Sequence, residues 1–551
     1  MEKIWLKHYA PGIPAEINPE QYAHINDMIA QSCKEFAHHP CYSNMGTTLR
    51  FSEIDQQSEK FASFLQNELK LKKGDRLAIQ MPNLLQYPIA VFGALRAGLI
   101  VVNVNPLYTA REMQYQLKDS GAKAIVILAN YAHLLEQIIK NTEIESVIIT
   151  EIGDLLKFPK NILVNFAVKF IKKMVPPFEI KQAYRYNESL ELGSIKPLVP
   201  VEISNQDIAF LQYTGGTTGV SKGAMLTHRN MVANMVQVTT WLSTRLERGV
   251  EIALAPLPIY HIFALTACLG FMSFGSHNVL ITNPRDFKSF IADMKRYPFT
   301  LMTGVNTLFN ALMNQPQFSE INFKSVKVSL AGGMALQRAV YERWTSMTQS
   351  LLIEGFGLTE TSPLACANPL NKDAKVGTIG LPVSSTEVKI ISEDGSELGI
   401  GGIGELCIKG PQVMKGYWQR PDETSKVLKD GWLLTGDIAT IDEDGFVKIV
   451  DRKKDMILVS GFNVYPNEIE DVIAAHPGVL EVAAVGIPDP NSGEAVKVVI
   501  VRKDPNLTSE SVIDFARKSL TNYKIPRVVE FRTELPKTNV GKILRRALRE
   551  A

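Results

Sequence analysis

The sequence has few cysteines, almost no net charge and no hydrophobic run long enough to span a membrane. Its cysteines number five in 551 residues, and they form no CxxC pair and no Cys/His cluster with metal-ligand spacing. This spacing excludes a disulfide framework and a cysteine-rich metal site, and it is typical of a reducing compartment. The formal net charge of +2 gives no global field that would attract nucleic acid, so we expect no nucleic-acid partner.

Targeting segments are also lacking. The longest mainly apolar stretch, 262–274, is shorter than the roughly 20 residues needed to cross a bilayer, and we expect a buried strand or helix there. Residues 1–14 mix charged and apolar side chains and contain no apolar core of a secretory signal. These features predict a cytoplasmic protein.

What is present is an ordinary globular composition, with 45% apolar and 21% charged residues. The length implies about three to five structural units. Apolar, β-branched runs alternate with helical patterns through about the first 360 residues, in two blocks, which indicates two parallel sheets covered by helices. Short strands punctuated by glycine and proline over 375–450 indicate a small β-rich unit.

The run of charges at 451–455 interrupts this pattern and predicts a domain boundary. The expected fold is α/β: an N-terminal domain over 1–450 with two helix-covered sheet subdomains and a small β-rich subdomain, then a hinge at 451–455. A small, mobile α+β C-terminal domain would follow over 456–551.

Residues 155–175 carry five lysines and no acid, and apolar side chains recur among them at helical spacing. Two interpretations are open. The first is a surface helix packed on its own domain with its lysines in water. The second is an amphipathic helix on an anionic leaflet, which would place the protein peripherally on the cytoplasmic face of the inner membrane.

The strongest chemical pattern is at 210–223, where an apolar strand runs into four glycines, several hydroxyl side chains and Lys222. Glycines let successive backbone N–H groups converge on an anion, and hydroxyls and a lysine add donors and positive charge. The pattern therefore predicts a phosphate cradle. It is not a Walker A loop, because it lacks the Gly-Lys-[Ser/Thr] ending and its spacing.

This segment resembles the ATP-binding loop of the adenylate-forming superfamily of acyl-CoA synthetases, adenylation domains and luciferases. Other motifs of that family occur in the expected order: LPIYH (257–261), AGGM (331–334), GFGLTE (355–360), GYW (416–418), TGD (435–437), DR (451–452) and PKTNVGK (536–542). Residues 430–454 and the segments at 18–19 and 103–108 are similar to those of bacterial long-chain fatty acid–CoA ligases.

The resemblance implies two half-reactions with a long-chain fatty acid, ATP and CoA as partners and Mg²⁺ as cofactor. The carboxylate attacks the α-phosphorus of ATP to give an acyl-adenylate and pyrophosphate, and the CoA thiol then displaces AMP. An enzyme that loads an acyl carrier protein instead of CoA shares the first step and stays open. So does a fatty-acid-sequestering binding protein built on an inactive ligase fold. The family also includes homodimers.

The resemblance further assigns individual residues. Lys542 is the expected main catalytic residue, with Thr214 and Glu360 supporting Mg²⁺. The expected ATP- and AMP-binding residues are Thr214, Gly215, Gly216, Thr217, Thr218, Gly219, Lys222, Gly332, Gly333, Gly355, Phe356, Gly357, Thr359, Asp437 and Arg452. Phe356 stands where the family often has tyrosine, so it offers a stacking face without a hydroxyl. Asp437 taken alone is also a common turn residue.

Substrate and hinge residues follow from the same motifs. His261, which alone would suit a buried core position, is expected to bind the acyl group with Phe263, Val305 and Gly332. Small residues over 263–270, including Ala264, Ala267, Cys268 and Gly270, are expected to line an apolar tunnel. Ser460, Gly461 and Phe462 are the expected CoA-binding residues, and Lys453 occupies the hinge position.

Overall fold

Four β-sheets organise the chain in the computed structural model, which describes residues 2–214, 221–490 and 492–549. The first sheet has, in spatial order, the strands Tyr184–Arg185, Ser146–Thr150, Ala124–Leu128, Arg76–Gln80, Ile100–Asn103, Ile208–Thr214 and Lys222–Thr227. All neighbours pair in parallel except the last two, which form an antiparallel hairpin. The hairpin lies at the edge of the sheet and carries the segment predicted to bind phosphate.

The second sheet has, in spatial order, Leu381–Pro382, Leu364–Ala367, Leu351–Gly357, Val328–Ala331, Leu301–Gly304, Ile252–Ala255, His277–Leu280, Pro40–Asn44 and Thr47–Arg50. Its central strands are parallel and almost fully buried, as expected for a sheet covered by helices on both faces. The sequence did not predict that Pro40–Asn44 pairs in parallel with the distant strand His277–Leu280.

Two smaller sheets complete the chain. The third contains Glu397–Leu398, Glu387–Ile391, Gly404–Lys409, Trp432–Ile441, Leu428–Lys429 and Val447–Arg452. The fourth contains Phe462–Val464, Ile457–Val459, Gly493–Arg502, Val479–Asp489 and Val528–Arg532. The α/β body with two large sheets, a small β-rich unit and a smaller C-terminal α+β unit confirms the predicted fold class.

Helices cover the sheets and are started by local chemistry. For example, the Thr109 hydroxyl accepts from the backbone N–H of Glu112, and Gly121 ends the helix in the left-handed conformation (φ +61°). The α-helices are Ile25–Glu35, Phe51–Asn67, Gln86–Arg96, Ala110–Ser120, Ala132–Ile138, Lys160–Phe166, Tyr186–Gly193, His228–Leu242, Ile262–Ser273, Phe287–Arg296, Asn306–Met313, Arg338–Thr348, Pro421–Val427, Pro466–Ala474, Ser509–Arg517 and Arg546–Arg549. Short 3-10 turns occupy Ile4–His8, Ala129–Tyr131, Ile139–Asn141, Pro316–Glu320, Thr359–Thr361 and Asn522–Lys524, and Ala167–Ile171 is a π-helix.

The apolar stretch at 262–274 is the buried helix Ile262–Ser273, which packs in the core with the helix His228–Leu242. All five cysteines are free and buried. Among the described residues no helix combines the length and hydrophobicity needed to span a bilayer.

Candidate active site

The two ends of the predicted phosphate loop lie side by side. Thr214 pairs with Lys222 in the hairpin register, and the Ser221 hydroxyl donates to the Thr214 carbonyl at 2.6 Å. The predicted residues Gly215, Gly216, Thr217, Thr218 and Gly219 lie outside the described residues. The ends of the loop are thus fixed by strand pairing, with the Lys222 side chain at one of them.

Lys222 connects the hairpin to the GYW motif and to Glu360. Its Nζ lies 2.9 Å from Glu423 Oε2 and 4.7 Å from the centre of the Tyr417 ring. The Tyr417 hydroxyl in turn donates to Glu360 Oε1 at 2.7 Å. The lysine of the predicted phosphate loop and the predicted metal-binding carboxylate therefore share one aromatic neighbour.

Glu360 lies in the turn Thr359–Thr361, which follows the strand Leu351–Gly357 at the carboxyl edge of the second sheet. The strand ends in the Gly355-Phe356-Gly357 segment predicted to line adenine. A Cβ on Gly357 would lie 2.0 Å from the Pro363 carbonyl oxygen, so only glycine fits there. The turn that carries Thr359 and Glu360 therefore begins two residues after the strand that carries Phe356.

Lys542 reaches this edge from the C-terminal part of the chain. A Cβ placed on Gly333, whose φ is +80°, would lie 3.2 Å from Lys542 Cε, so a glycine lets the lysine chain approach the backbone. The adjoining Gly541 carbonyl accepts from the Thr307 hydroxyl at 3.0 Å. A small cavity in front of Lys542 is lined by Leu257, Pro258, His261, Phe263, Val305, Gly333, Val540 and Lys542.

The electrostatics of this cavity favour an anion. Burial and, to a smaller extent, the charge of Arg452 lower the pKa of Lys542 to about 8, although Asp437 and Glu360 act to raise it. The ammonium form therefore still dominates at neutral pH. Burial and the charge of Lys542 lower the pKa of His261 to about 3, which keeps this imidazole neutral. Its Nδ1 accepts from the Phe263 N–H at 3.4 Å, which leaves Nε2 as the protonated nitrogen.

Asp437 and Arg452 face each other across two neighbouring strands of the third sheet. They are register partners, and Arg452 Nε lies 3.5 Å from Asp437 Oδ1. Burial raises the pKa of Asp437 to about 6, although Arg452 and Lys542 both act to lower it. The carboxylate is therefore ionised at neutral pH and available to accept hydrogen bonds.

Gly332 lies between the two regions of the site. A Cβ added there would come within 3.1 Å of the Phe263 ring and 3.3 Å of the Gly355 carbonyl oxygen. Gly332 is thus the point where the acyl-side residue Phe263 meets the segment predicted to line adenine.

The predicted CoA-binding residues are not brought to this cavity. Ser460 and Gly461 form an exposed turn, and Phe462 is 55% exposed with its ring stacked on Tyr523 (centroids 4.7 Å apart, 18° between planes). Lys542, by contrast, is enclosed beside Gly333 and His261. The structure therefore presents the lysine, and not the 460–462 turn, to the site.

The predicted hinge residue, Lys453, is tied to the N-terminal body. Its N–H donates to the Gly436 carbonyl at 3.0 Å, and its Nζ lies 3.3 Å from Glu405 Oε2. The last strand of the third sheet ends at Arg452, and the first strand of the fourth begins at Ile457. Lys453 thus lies in the short connection between the two sheets.

Sequence reasoning missed several residues of this site. The motif that contains Tyr417 assigns that residue no role, and no motif indicates Glu423, which lies 201 positions from Lys222. A second, mainly apolar cavity was not predicted either. That cavity is lined by Tyr42, Tyr87, Pro88, Val91, Phe92, Ile259, Leu265, Cys268 and Leu269. Only Cys268 of the small residues expected to form a tunnel is among them.

Comparison with known proteins identifies the architecture. The family described as AMP-binding enzyme matches residues 29–418, and the AMP-binding enzyme C-terminal domain matches 468–542. The chain is 56% identical to the long-chain-fatty-acid–CoA ligase of Escherichia coli O157:H7 over 551 residues, which cover 100% of this chain and 98% of that one. It is 39% identical to the enzyme of the same name from Bacillus subtilis (strain 168), with 100% and 98% covered.

Solved structures share the same fold. Anthranilate CoA ligase AuaEII in complex with anthranoyl-AMP superimposes with a TM-score of 0.86 at 23% identity, covering 97% of this chain and 98% of that one. ATP-bound MatB from Rhodopseudomonas palustris gives a TM-score of 0.81 at 26% identity, covering 96% and 98%.

Proposed function

The chain belongs to the AMP-binding enzyme family, and on that premise we propose that it is an ATP-dependent long-chain fatty acid–CoA ligase. It would join a fatty acid to AMP with release of pyrophosphate, and then transfer the acyl group to CoA with release of AMP. The observation that carries this proposal is the enclosure of Lys542 in a cavity shared with His261 and Gly333.

In the first half-reaction, the Lys542 ammonium would lie between the acyl carboxylate and the α-phosphate. There it would neutralise charge that builds up as the new bond forms, a role that needs correct placement more than covalent chemistry. Asp437 would accept from the ribose hydroxyls, with Arg452 beside it. Gly332, Gly333 and the 355–357 segment would line adenine, and Thr214 with Lys222 would bind the β- and γ-phosphates.

Mg²⁺ fits the donors present. One carboxylate, Glu360, and one hydroxyl, Thr214, supply hard oxygen atoms, and phosphate oxygens and water complete the shell that Mg²⁺ prefers. When bound, the ion would offset negative charge on the phosphates. The described residues contain no cluster of three or more acidic, histidine or cysteine side chains that could hold a metal ion.

The apolar cavities suit the acyl group. His261 and Phe263 lie at the cavity in front of Lys542, where the carboxylate must sit, and Val305 lines the same space. Leu265, Cys268 and Leu269 of the same helix line the second cavity, which lies deeper among buried residues. We place the end of the acyl chain there, because burying each methylene contributes about 0.8 kcal/mol and a methylene needs no hydrogen-bond partner.

The second half-reaction would need another arrangement. The turn at 460–462 is exposed, whereas Lys542 lines the cavity. The same acyl carbon must first lie beside Lys542 and then beside the 460–462 turn. A rotation of the C-terminal domain about Lys453 would exchange them. The two curated relatives described above, both named CoA ligases, favour CoA over a carrier protein as the acceptor.

Measurement of pyrophosphate release with palmitate and ATP, with and without CoA, tests the proposal. We expect a single burst near enzyme concentration without CoA, sustained turnover with CoA, and palmitoyl-CoA as the product. Sustained turnover with an acyl carrier protein but not with CoA would support the alternative ligase. No pyrophosphate release under any condition would contradict the proposed activity.

We also propose that residues 155–175 contact an anionic membrane. Seven of their apolar side chains are turned outward: Phe158 is 79% exposed and Ile171 is 69% exposed, and Ile162, Leu163, Phe166, Phe170 and Met174 are each more than half exposed. A helix packed on its own domain would bury that face, so this observation favours the membrane interpretation. The lysines of the segment match the charge of an anionic leaflet on the cytoplasmic side.

Vesicle co-sedimentation tests this contact. We expect binding to phosphatidylcholine vesicles that contain phosphatidylglycerol, and loss of binding in a Phe158→Ser/Phe166→Ser/Phe170→Ser variant. An Ile195→Ser/Val199→Ser variant is the matched control, because these apolar residues are equally exposed on another surface. Equal binding of both variants would contradict the proposal. The homodimer raised by the family resemblance stays a prediction for sedimentation velocity.

A further inference from the structure

The Lys222 ammonium contacts two side chains, the carboxylate of Glu423 and the aromatic ring of Tyr417. Its Nζ lies 2.9 Å from Glu423 Oε2, in a pair whose side chains are 27% and 36% exposed, and it also lies over the Tyr417 ring. Glu423 is shared with a second cation, since Lys426 Nζ lies 2.5 Å from its other oxygen. The hydrogen bonds of Lys426 and Lys222 lower the pKa of Glu423 to about 2, so it remains a carboxylate.

A polyphosphate that binds at Lys222 must compete with this carboxylate for the ammonium group. The pair is partly exposed, and ion pairs of this kind are weak, so a phosphate of higher charge can displace Glu423. Once displaced, Glu423 remains close to the bound anion and repels it. The Tyr417 ring still positions Lys222 through its cation–π contact, so Glu423 is not required to keep the lysine in place.

We propose that Glu423 is an exchange partner for Lys222, which it holds before ATP binds and takes back as pyrophosphate leaves. Glu423 is thereby a positioning residue that acts through Lys222 and lowers the affinity of the site for pyrophosphate. The proposal rests on the proposed function for the identity of the anion, but the exchange itself concerns only the binding of a polyphosphate.

Calorimetry with magnesium pyrophosphate and no fatty acid tests the exchange directly. We expect Glu423→Gln to bind pyrophosphate about three- to tenfold more tightly than the wild type, with a smaller gain at high salt. Glu423→Asp, which keeps the charge, should bind like the wild type. In turnover with palmitate and CoA, Glu423→Gln should lower KM for ATP and kcat together, because pyrophosphate leaves more slowly.

The effect must pass through Lys222. In a Lys222→Met background, Glu423→Gln should no longer change the dissociation constant beyond the loss of a nearby negative charge, about twofold at moderate salt. Glu320→Gln, which removes the partner of Lys295 at an exposed pair 2.5 Å long, is the matched control and should leave pyrophosphate binding unchanged.

Unchanged or weaker pyrophosphate binding in a folded Glu423→Gln protein overturns the exchange. So does an equal gain in the Lys222→Met background. If Glu423→Gln does not fold, Lys426→Met provides the second measurement, because Glu423 then pairs with Lys222 alone and pyrophosphate should bind about twofold more weakly. A wild type that binds pyrophosphate but does not activate palmitate would contradict the proposed function while leaving the exchange intact.

Discussion

Lys542 combines partial burial with the positive charge that its proposed role requires. Its pKa of about 8, lowered mainly by burial, means that the ammonium is present at neutral pH and is lost as the pH rises through that value. The same lysine is surrounded by residues from three separate stretches of the chain: Gly333, His261 and Val540. Its protonation state should therefore be visible in the first half-reaction.

We expect the rate of adenylate formation to be level below pH 8 and to fall above it. Lys542→Ala should lower that rate by about 10²- to 10³-fold, the usual loss for one electrostatic contact to a developing charge, and should abolish the alkaline decline. Single-turnover release of pyrophosphate measures both effects. Lys503→Ala, an exposed lysine of the same domain, is the control. A Lys542→Ala enzyme that adenylates at the wild-type rate would refute the assignment.

The protonation of Asp437 should control the binding of the ribose. Burial raises its pKa to about 6, so the carboxylate becomes protonated as the pH falls through 6 and accepts fewer hydrogen bonds. Adenosine, which has ribose hydroxyls but no titrating phosphate, should bind progressively more weakly below that pH. Asp437→Asn should weaken adenosine about 10- to 100-fold at pH 8, as expected for a hydrogen bond to a charged group, and remove the pH dependence. Calorimetry over pH 5 to about 8 measures both. A wild-type affinity independent of pH would place the ribose elsewhere.

Among the elements, the helix Pro466–Ala474 is held to the interdomain connection by one buried arginine. Arg545 Nη1 lies 2.8 Å from Asp451 Oδ1, and Arg545 Nη2 lies 2.8 Å from Glu470 Oε2. Asp451 is 1% exposed, and its other oxygen accepts from the Asn467 N–H at 2.8 Å. The network joins the segment that carries Lys542 to the strand that precedes the predicted hinge.

Removing the arginine would leave buried carboxylates without a counter-charge. We expect Arg545→Met to destabilise the C-terminal domain by about 3–5 kcal/mol, the cost of breaking a buried ion pair on one side. Hydrogen exchange of the helix Pro466–Ala474 should show the change. Acidification should restore part of the lost stability, because burial already raises the pKa of Glu470 and its protonation relieves the unpaired charge. Arg517→Met, at an exposed pair with Asp514, should change little. Similar losses in both variants would contradict the network's role.

Local patterns were enough to predict many of these elements. The strands Arg76–Gln80 and Ser146–Thr150 and the helix Gln86–Arg96 belong to the predicted alternation of strands and helices, which could be predicted because continuous apolar runs and helical periodicity are local properties of a sequence. The partners of the strands were not predictable in the same way. Pro40–Asn44 joins a strand more than 230 residues away, a pairing set by long-range packing.

The candidate site likewise has features that could be predicted from local motifs and features that could not. Its motifs identify Lys542, Glu360 and Asp437 by resemblance, but no pattern in the sequence indicates that Tyr417 links Lys222 to Glu360. Likewise, Tyr42 and Tyr87 line the deeper apolar cavity although neither lies near the helix expected to form a tunnel. Side chains from distant strands meet only after the sheets have packed, so their contacts leave no signal of local periodicity.

For the whole molecule, the near-zero net charge is an average over unlike surfaces. Acidic residues offset the lysine segment at 155–175 and the basic C-terminal end, so attraction of ATP, CoA and an anionic leaflet would be local. Polar bonds join the C-terminal domain to the N-terminal body at several points of the described chain, one of them from the Arg338 N–H to Asp471 Oδ1 at 3.2 Å. The Thr307 hydroxyl donates to the Gly541 carbonyl at 3.0 Å, and the Asn310 amide donates to the Leu480 carbonyl at 2.9 Å. Among the described residues the hydrophobic clusters of the C-terminal domain contain no residue of the N-terminal body, which is compatible with a domain that leaves its position during turnover.

Cross-linking across this interface tests whether turnover requires that movement. An Asn310→Cys/Leu480→Cys variant places two thiols beside a present contact, and the five native cysteines are buried, so a short bismaleimide reagent should react at the new pair. The cross-linked enzyme keeps Lys542 in the cavity and should still release pyrophosphate in a single turnover. Its formation of acyl-CoA should fall by roughly 100-fold, because the 460–462 turn cannot replace the lysine. Each single-cysteine variant treated with the same reagent is the control. Acyl-CoA formation at the control rate by fully cross-linked enzyme would show that both half-reactions proceed in the one arrangement, and the rotation about Lys453 would have to be abandoned.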